Sequence, residues 1–168
     1  MRFRPPGLLP ALLVSALALT LPGCALHPLY AGGTGSPVVR QIAAVQISPI
    51  EGKDGWLLRN ALRERFTGQE EPRYRLDIRL DDKLTGQGVL SDDTVARERR
   101  SLRARYQLVD LSNDAIILDA SAGSDAGIDV VSSEYATIAA EDTALENLAK
   151  DLAERIQTRV ALALREQK

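Results

Sequence analysis

The sequence predicts an α+β fold, a two-layer sandwich in which two helices cover one face of a four-stranded, mostly antiparallel sheet. Apolar and polar residues alternate with period two in several short stretches, whereas apolar residues recur at helical spacing in two others. The predicted order is strand, helix, three strands and helix (β-α-β-β-β-α), which is typical of this fold class. With 168 residues, of which 45% are hydrophobic, the chain is long enough for one ordinary domain with its own core.

The first half of this domain is predicted to contain one strand and one helix. Residues 38–47 are rich in β-branched side chains and are predicted to form the first strand. A helix is predicted to follow from an N-cap at Asp54 and to end before Gly68, because apolar side chains recur there every three or four residues. Two aromatic residues in this helix, Trp56 and Phe66, are expected to belong to the core.

The next two elements are predicted to be strands joined by a long loop. Apolar and charged residues alternate strictly over 73–80, which predicts a half-buried second strand. A polar, glycine-containing loop is predicted over residues 81–93. The apolar side of the third strand is then formed by Leu102, Ala104, Tyr106 and Leu108.

The last part of the chain is predicted to be a hairpin strand and a long helix. A turn at 112–114 leads into a fourth strand, whose apolar side is formed by Ile116, Leu118 and Ala120. The segment 123–129 is expected to break the strand. Ser132 or Ser133 is expected to cap one continuous helix, since neither Gly nor Pro occurs after Asp129.

The N-terminal segment is typical of an export signal. Two basic residues, Arg2 and Arg4, precede an apolar stretch that ends in Leu-Pro-Gly-Cys, a sequence that resembles the bacterial lipobox. We therefore expect 1–23 to be a signal peptide, 24–37 to be a lipidated Cys24 with a flexible tether, and 38–168 to be a single α+β domain. An ordinary cleaved signal with an unmodified cysteine is the alternative. Ala25 after the cysteine implies sorting to the outer membrane.

Composition argues against several functional classes. A formal net charge of −2 is unlike a generic nucleic-acid binder. A single cysteine cannot form an internal disulfide, and no Cys/His cluster has the spacing of a zinc site. Adjacent aspartates at 81–82 and 92–93 are interpreted as solvated turns rather than as a calcium site or a catalytic pair. We expect no enzymatic activity, no cofactor and no metal.

Arginines are concentrated on the polar sides of the second and third predicted strands. A period of two places these side chains on one face of the sheet, with Asp77 among them and Asp119 able to neutralise one more. The guanidinium group holds phosphate or carboxylate through two parallel hydrogen bonds. The candidate ligand-binding residues are Arg97, Arg99, Arg103 and Arg105 on the third strand and Arg73, Arg75 and Arg79 on the second. A solvated face, neutralised by aspartates from the loops, is the alternative interpretation.

Two stretches resemble the LptE family of lipopolysaccharide-assembly lipoproteins. Residues 26–32 (LHPLYAG) resemble the family's FRPLYG segment, with His27 in place of the usual basic residue. Residues 133–156 resemble the family's C-terminal helix. The resemblance implies a lipid-anchored plug inside the outer-membrane β-barrel LptD, which helps to fold that barrel and to deliver lipopolysaccharide to the outer leaflet. It also implies lipopolysaccharide binding through basic residues.

A second functional class remains open from the sequence. An accessory lipoprotein subunit of another envelope (ABC-type) transport system would share the same anchor and a small α+β domain. Co-purification of a large β-barrel distinguishes the two classes, because only the LptE-type protein is expected to hold one.

Overall fold

The computed structural model describes residues 37–68, 71–89 and 95–167. The predicted signal peptide, Cys24 and the resembling segment 26–32 lie outside these residues. The elements, in chain order, are helix α1 (Pro37–Ala43), strand β1 (Val45–Ile47), helix α2 (Gly52–Arg65), strands β2 (Tyr74–Val89), β3 (Val95–Asp110) and β4 (Ala115–Asp129), and helix α3 (Glu134–Glu166).

The four strands form one sheet in the order β1-β2-β3-β4. The short strand β1 pairs with β2 in parallel, whereas the β2–β3 and β3–β4 pairs are antiparallel. The predicted fold class, α+β with a mostly antiparallel four-stranded sheet, is therefore confirmed. No helix within the described ranges combines the length and the hydropathy needed to cross a bilayer.

One face of the sheet carries the hydrophobic core. Even-numbered side chains of β2 over 74–78 and of β3 over 102–108 point towards the helices and are almost fully buried, as the period-two alternation predicts. Helix α2 contributes Leu58 and Leu62, and α3 contributes one apolar stripe along its length. That stripe consists of Leu145, Leu148, Ala149, Leu152, Ala153, Ile156, Val160, Ala161 and Leu164.

Helix α3 is continuous from Glu134 to Glu166, as predicted. Ser133 is the N-cap residue, and its hydroxyl accepts a hydrogen bond from the backbone N–H of Ala136. On the solvent side, Arg155 bridges Asp151 at 3.1 Å with i, i+4 spacing. The apolar stripe begins only at Leu145, so the first turns of the helix project beyond the core, and Ile138 there is 48% exposed.

The predicted first strand over 38–47 is wrong for most of its length, because residues 37–43 form helix α1. Pro37 occupies the first position of this helix, where its missing N–H leaves no hydrogen bond unmade. Ile42 is buried in the core, which stabilises a helical turn despite the β-branched sequence. Within this segment only Val45–Ile47 is strand, and the described residues of the domain therefore form three helices rather than two.

Two segments predicted as irregular are strand instead. Residues 81–89, predicted as loop, continue β2 in register with β3, while 90–93 lie outside the described residues. Residues 123–129, predicted to break the strand, continue β4 in register with 97–103 of β3. Both segments pair with β3, one on each side of it, and this pairing outweighs the weak strand propensity of their Gly and Asp residues.

Helix α2 begins at Gly52 with Glu51 as its N-cap residue, not at Asp54, and Phe66 follows its last residue. Phe66 is buried as predicted, but Trp56 is 63% exposed, so its assignment to the core is wrong. Trp56 lies two residues before the fully buried Leu58, and positions two apart on a helix do not share a face.

Candidate functional site

The sheet face opposite the helices, here called the open face, carries the polar side chains of β2, β3 and β4. Six of the seven predicted arginines occupy its strand positions: Arg75 and Arg79 on β2, and Arg97, Arg99, Arg103 and Arg105 on β3. Arg73 lies just before β2, with its guanidinium 5.4 Å from the centre of the Tyr74 ring. Arg79 is directly opposite Arg105, so two like charges are cross-strand neighbours.

Most arginines of β3 reach across to aspartates on β4. The Nε of Arg97 lies 3.2 Å from Asp129, and a terminal nitrogen of Arg105 lies 3.1 Å from Asp119. One terminal nitrogen of Arg103 donates to both carboxylate oxygens of Asp125 at 2.9 Å. These pairs are exposed and therefore contribute little stability individually, but together they fix the directions of the guanidinium groups.

Glycine in β4 makes this arrangement sterically possible. A Cβ atom on Gly123 would lie only 2.4 Å from the Cδ of Arg103, whose side chain crosses the strand at this position. Gly127 differs, because a Cβ atom there would meet the Nε of Arg97 at 3.5 Å, an ordinary contact. Gly123 thus allows the Arg103 side chain to lie flat on the sheet.

The ion pairs change the pKa values of the aspartates. Hydrogen bonds from Ser101 and Arg103 lower the pKa of Asp125, and those from Arg105 and Gln107 lower the pKa of Asp119. For Asp77, burial raises the pKa, but hydrogen bonds from Ser48 and Arg75 outweigh it and the net shift is downwards. All three carboxyls are therefore ionised at neutral pH.

Asp77 and Asp119 each pair with an arginine of the open face, as the sequence predicted, but they are not the only acids there. Strand β4 also adds Asp125 and Asp129, so neutralisation comes from the strand and not from loops. The sequence held a signal for this, because odd positions of 119–129 are all acidic or small. This signal is obscured because the glycines at 123 and 127 predict an interruption of the strand when the sequence of β4 is considered without that of β3.

Arg79 is the arginine of the open face with the weakest neutralisation. Among the described residues, no carboxylate lies within ion-pair distance of its guanidinium, unlike the arginines at 97, 99, 103 and 105. Arg79 and Arg105 line two adjoining depressions of about 490 and 410 Å³. Ser48, Asp77 and Gln107 border the larger one. Arg79 and Arg105 are thus the two cationic side chains shared by both depressions.

A further ion pair lies on the helix side of the sheet. Arg100 holds Asp82 through its Nε and a terminal nitrogen at 2.6 to 3.2 Å, and its other terminal nitrogen donates to the carbonyl of Glu141 in α3. Both charged side chains are at most 21% exposed. This pair joins β2, β3 and α3, so its role is to hold α3 on the sheet. Asp82 is therefore not a loop acid.

The fold and this face define a class of protein: a small α+β sandwich with one helix-covered and one charged, open sheet face. The LptE lipopolysaccharide-assembly family model matches residues 42–160, most of the described chain. The chain belongs to the LptE family, which confirms the resemblance seen in the sequence.

Solved structures of bacterial lipoproteins share the fold. A protein of Caulobacter crescentus CB15 assigned as a lipoprotein superposes with a TM-score of 0.66 at 24% identity, covering 79% of this chain and 98% of that one. Rare lipoprotein B from Shewanella oneidensis gives a TM-score of 0.52 at 11% identity, with 74% and 98% covered. Lipoprotein B from Nitrosomonas europaea gives 0.54 at 15% identity, with 70% and 81% covered. Comparison with curated proteins gave no significant match.

Proposed function

We propose that this protein is an outer-membrane lipoprotein that plugs the LptD β-barrel, assists the assembly of that barrel and helps to deliver lipopolysaccharide to the outer leaflet. The observation that carries the proposal is the match of the LptE family over residues 42–160. The role is non-catalytic and needs no cofactor or metal. Its partners are LptD and lipopolysaccharide, and nucleic acid is not among them.

The proposed anchor is a set of acyl chains on Cys24. The lipobox-like sequence before this residue supports acylation, and the structural relatives named as lipoproteins share the fold of the domain. Several acyl chains on one residue hold a protein on a membrane much more firmly than one chain does. The domain would then lie on the periplasmic side, in the lumen of the barrel.

The proposed lipopolysaccharide site is centred on Arg79 and Arg105. The two guanidinium groups are cross-strand neighbours, and Arg79 lacks a carboxylate partner among the described residues. A phosphate group bound between them would relieve their repulsion and use the forked geometry of arginine. The remaining predicted residues (Arg73, Arg75, Arg97, Arg99 and Arg103) surround this centre.

Paired variants with equal charge changes test the site. Replacing Arg79 and Arg105 with glutamine is expected to weaken lipopolysaccharide binding by about tenfold or more, because both phosphate-binding forks are lost. Replacing Arg159 and Arg165, which are exposed on α3, removes the same charge outside the open face and is the control, with an expected change below about threefold. Equal losses in both variants would show that only overall charge matters, and unchanged binding in both would exclude the open face as the site.

Photo-cross-linking tests the plug. Lys83 is exposed on the open face, and its one ion pair with a described residue is with the nearby Asp81, so a photoreactive amino acid there should not disturb the fold. In intact cells we expect an adduct between position 83 and LptD. If adducts form only with other envelope proteins from this and other open-face positions, the protein does not plug that barrel.

A further inference from the structure

A second cavity lies at the β1 edge of the sheet, between β1 and the end of α2. It has a volume of about 760 Å³. One wall is the backbone of residues 43–47, and the opposite wall carries Arg59, Arg63 and Phe66. None of the predicted site residues contributes to it.

The two arginines in this cavity have no anionic partner among residues 37–68, 71–89 and 95–167. Arg59 and Arg63 are four residues apart on α2, where like charges repel. No lining residue carries a carboxylate, and neither arginine forms an ion pair with a described residue. The Nε of Arg59 is buried, and no atom of the described part of the chain accepts a hydrogen bond from it. A buried cationic donor without an acceptor destabilises the free protein, and an anion would satisfy it.

The wall opposite the arginines is β1, the edge strand of the sheet that the described residues form. The carbonyl of Ala44 accepts from Tyr74, and the N–H of Ser48 donates to Leu76, so even-numbered positions of this segment face β2. In a parallel ladder the intervening residues point the other way. The N–H and carbonyl groups of Val45 and Ile47 therefore face the cavity and offer donors and acceptors in alternation.

We infer that this cavity binds an extended, acidic peptide segment of a partner protein, which adds to β1 as a fifth strand and places a carboxylate at Arg59 and Arg63. Strand addition at a free edge uses backbone hydrogen bonds for affinity and side-chain contacts for specificity. A free phosphate satisfies the arginines but leaves the outward carbonyls unpaired, and it fills only a small part of the cavity. The chain's own segment 24–36 has no acidic residue and so lacks the complementary charge.

The inference is independent of lipopolysaccharide binding, because it concerns different residues on a different part of the domain. Fluorescence anisotropy with the full mature protein in detergent tests it. The probe is a labelled peptide of about six residues in which Asp and Val alternate, with both ends capped. In the first control peptide, Lys replaces Asp. The second control is a pair of peptides with N-methyl groups on alternate backbone nitrogens, one peptide for each of the two possible sets of nitrogens. We expect both controls to bind at least about tenfold more weakly than the probe.

Variants of the protein provide the matched comparison. Changing Arg59 and Arg63 to glutamine is expected to weaken binding of the Asp–Val probe by about tenfold, with an unchanged circular dichroism spectrum. Changing Arg159 and Arg165, which are exposed on α3, removes the same charge and should leave binding within about twofold.

Three results would overturn the inference. Equal binding of the N-methylated peptides would exclude strand addition, and complete competition by millimolar inorganic phosphate would indicate a simple anion site. Self-association of the protein that is abolished by the Arg59 and Arg63 changes would assign the edge to a second copy of the chain. Absence of probe binding to the unmodified protein would remove the site altogether.

Discussion

At the scale of single residues, the open face depends on arginine side chains that lie flat on the sheet. Arg103 crosses β4 at Gly123 to reach Asp125. This contact is possible because residue 123 has no side chain. The hydrogen bonds from Ser101 and Arg103 together lower the pKa of Asp125. The pKa of this carboxyl therefore reports whether Arg103 occupies its position.

Gly123→Ala tests this dependence. The added Cβ overlaps the Arg103 side chain, so we expect the guanidinium to leave and the pKa of Asp125 to rise towards its ordinary value. NMR titration of the Asp125 carboxyl measures the change. Gly127→Ala is the control, because its Cβ meets Arg97 at an ordinary 3.5 Å and leaves Arg103 in place. An unchanged Asp125 pKa in Gly123→Ala would contradict the account.

At the scale of elements, the sequence predicted those parts whose own pattern determines their structure. The alternation from Tyr74 to Leu80 and the apolar stripe of α3 each identify a buried face without knowledge of a partner. The extensions of β2 over 81–89 and of β4 over 123–129 could not be predicted in this way. Their residues have weak strand propensity, and they are strand because β3 pairs with both.

The same distinction between local pattern and strand pairing applies to the candidate site. Strand alternation correctly placed the arginines of β3 on one face, since it depends on neighbouring residues alone. The aspartates that neutralise them belong to β4, and their positions depend on the register between strands. Arg59 and Arg63 were not singled out, because two arginines on a helix are usually solvated and only the packing of α2 beside β1 encloses them.

Helix α3 is expected to depend on the ion pair that joins it to the sheet. In Arg100→Leu, Asp82 stays largely buried without its partner, so the free energy of unfolding should fall by about 1–3 kcal/mol. Urea denaturation measures it. The double variant Arg100→Leu/Asp82→Leu should be more stable than the single one, because no unpaired charge remains. If the single variant unfolds like the parent protein, the pair does not hold α3.

The apolar stripe of α3 should provide most of the stability of the helix. Leu152 is fully buried, and Leu152→Ala is expected to lower the free energy of unfolding by about 2–5 kcal/mol through lost contacts and a cavity. Leu162 on the same helix is 37% exposed, so Leu162→Ala is the matched control with an expected loss below about 1 kcal/mol. Similar losses at both positions would mean that α3 packs differently.

At the scale of the whole molecule, several carboxylates link folding to pH in the same direction. Asp77, Asp119, Asp125 and Asp151 all have pKa values lowered from an ordinary 3.8 in the folded protein. The unfolded chain therefore binds protons more readily than the folded one. Stability from these groups is fully present above their unfolded-state pKa values and is lost as the pH falls through the lower folded-state values.

Urea denaturation at a series of pH values tests this linkage. We expect the free energy of unfolding to be insensitive to these four groups above about pH 5 and to decline steeply below about pH 4. Asp125→Asn, which removes one contributing carboxyl, should make the decline shallower. A decline that begins near pH 6 would instead identify a group with a raised pKa as the main link between pH and stability.

At this scale the sheet has two faces with different roles. Helices cover one side and provide the stability, whereas the open face presents paired charges that suit the polar lumen of an outer-membrane barrel. Membership of the LptE family gives the domain its place in lipopolysaccharide assembly. The barrel partner is the central claim of the proposed function.

Purification of the mature, lipidated protein from its own membranes in mild detergent, followed by mass spectrometry, tests this claim most directly. We predict that a large β-barrel identified as LptD is retained in equal stoichiometry through washing. Recovery of the protein alone, or with inner-membrane transporter subunits instead of a barrel, would contradict the proposed plug and would favour an accessory lipoprotein of another transport system.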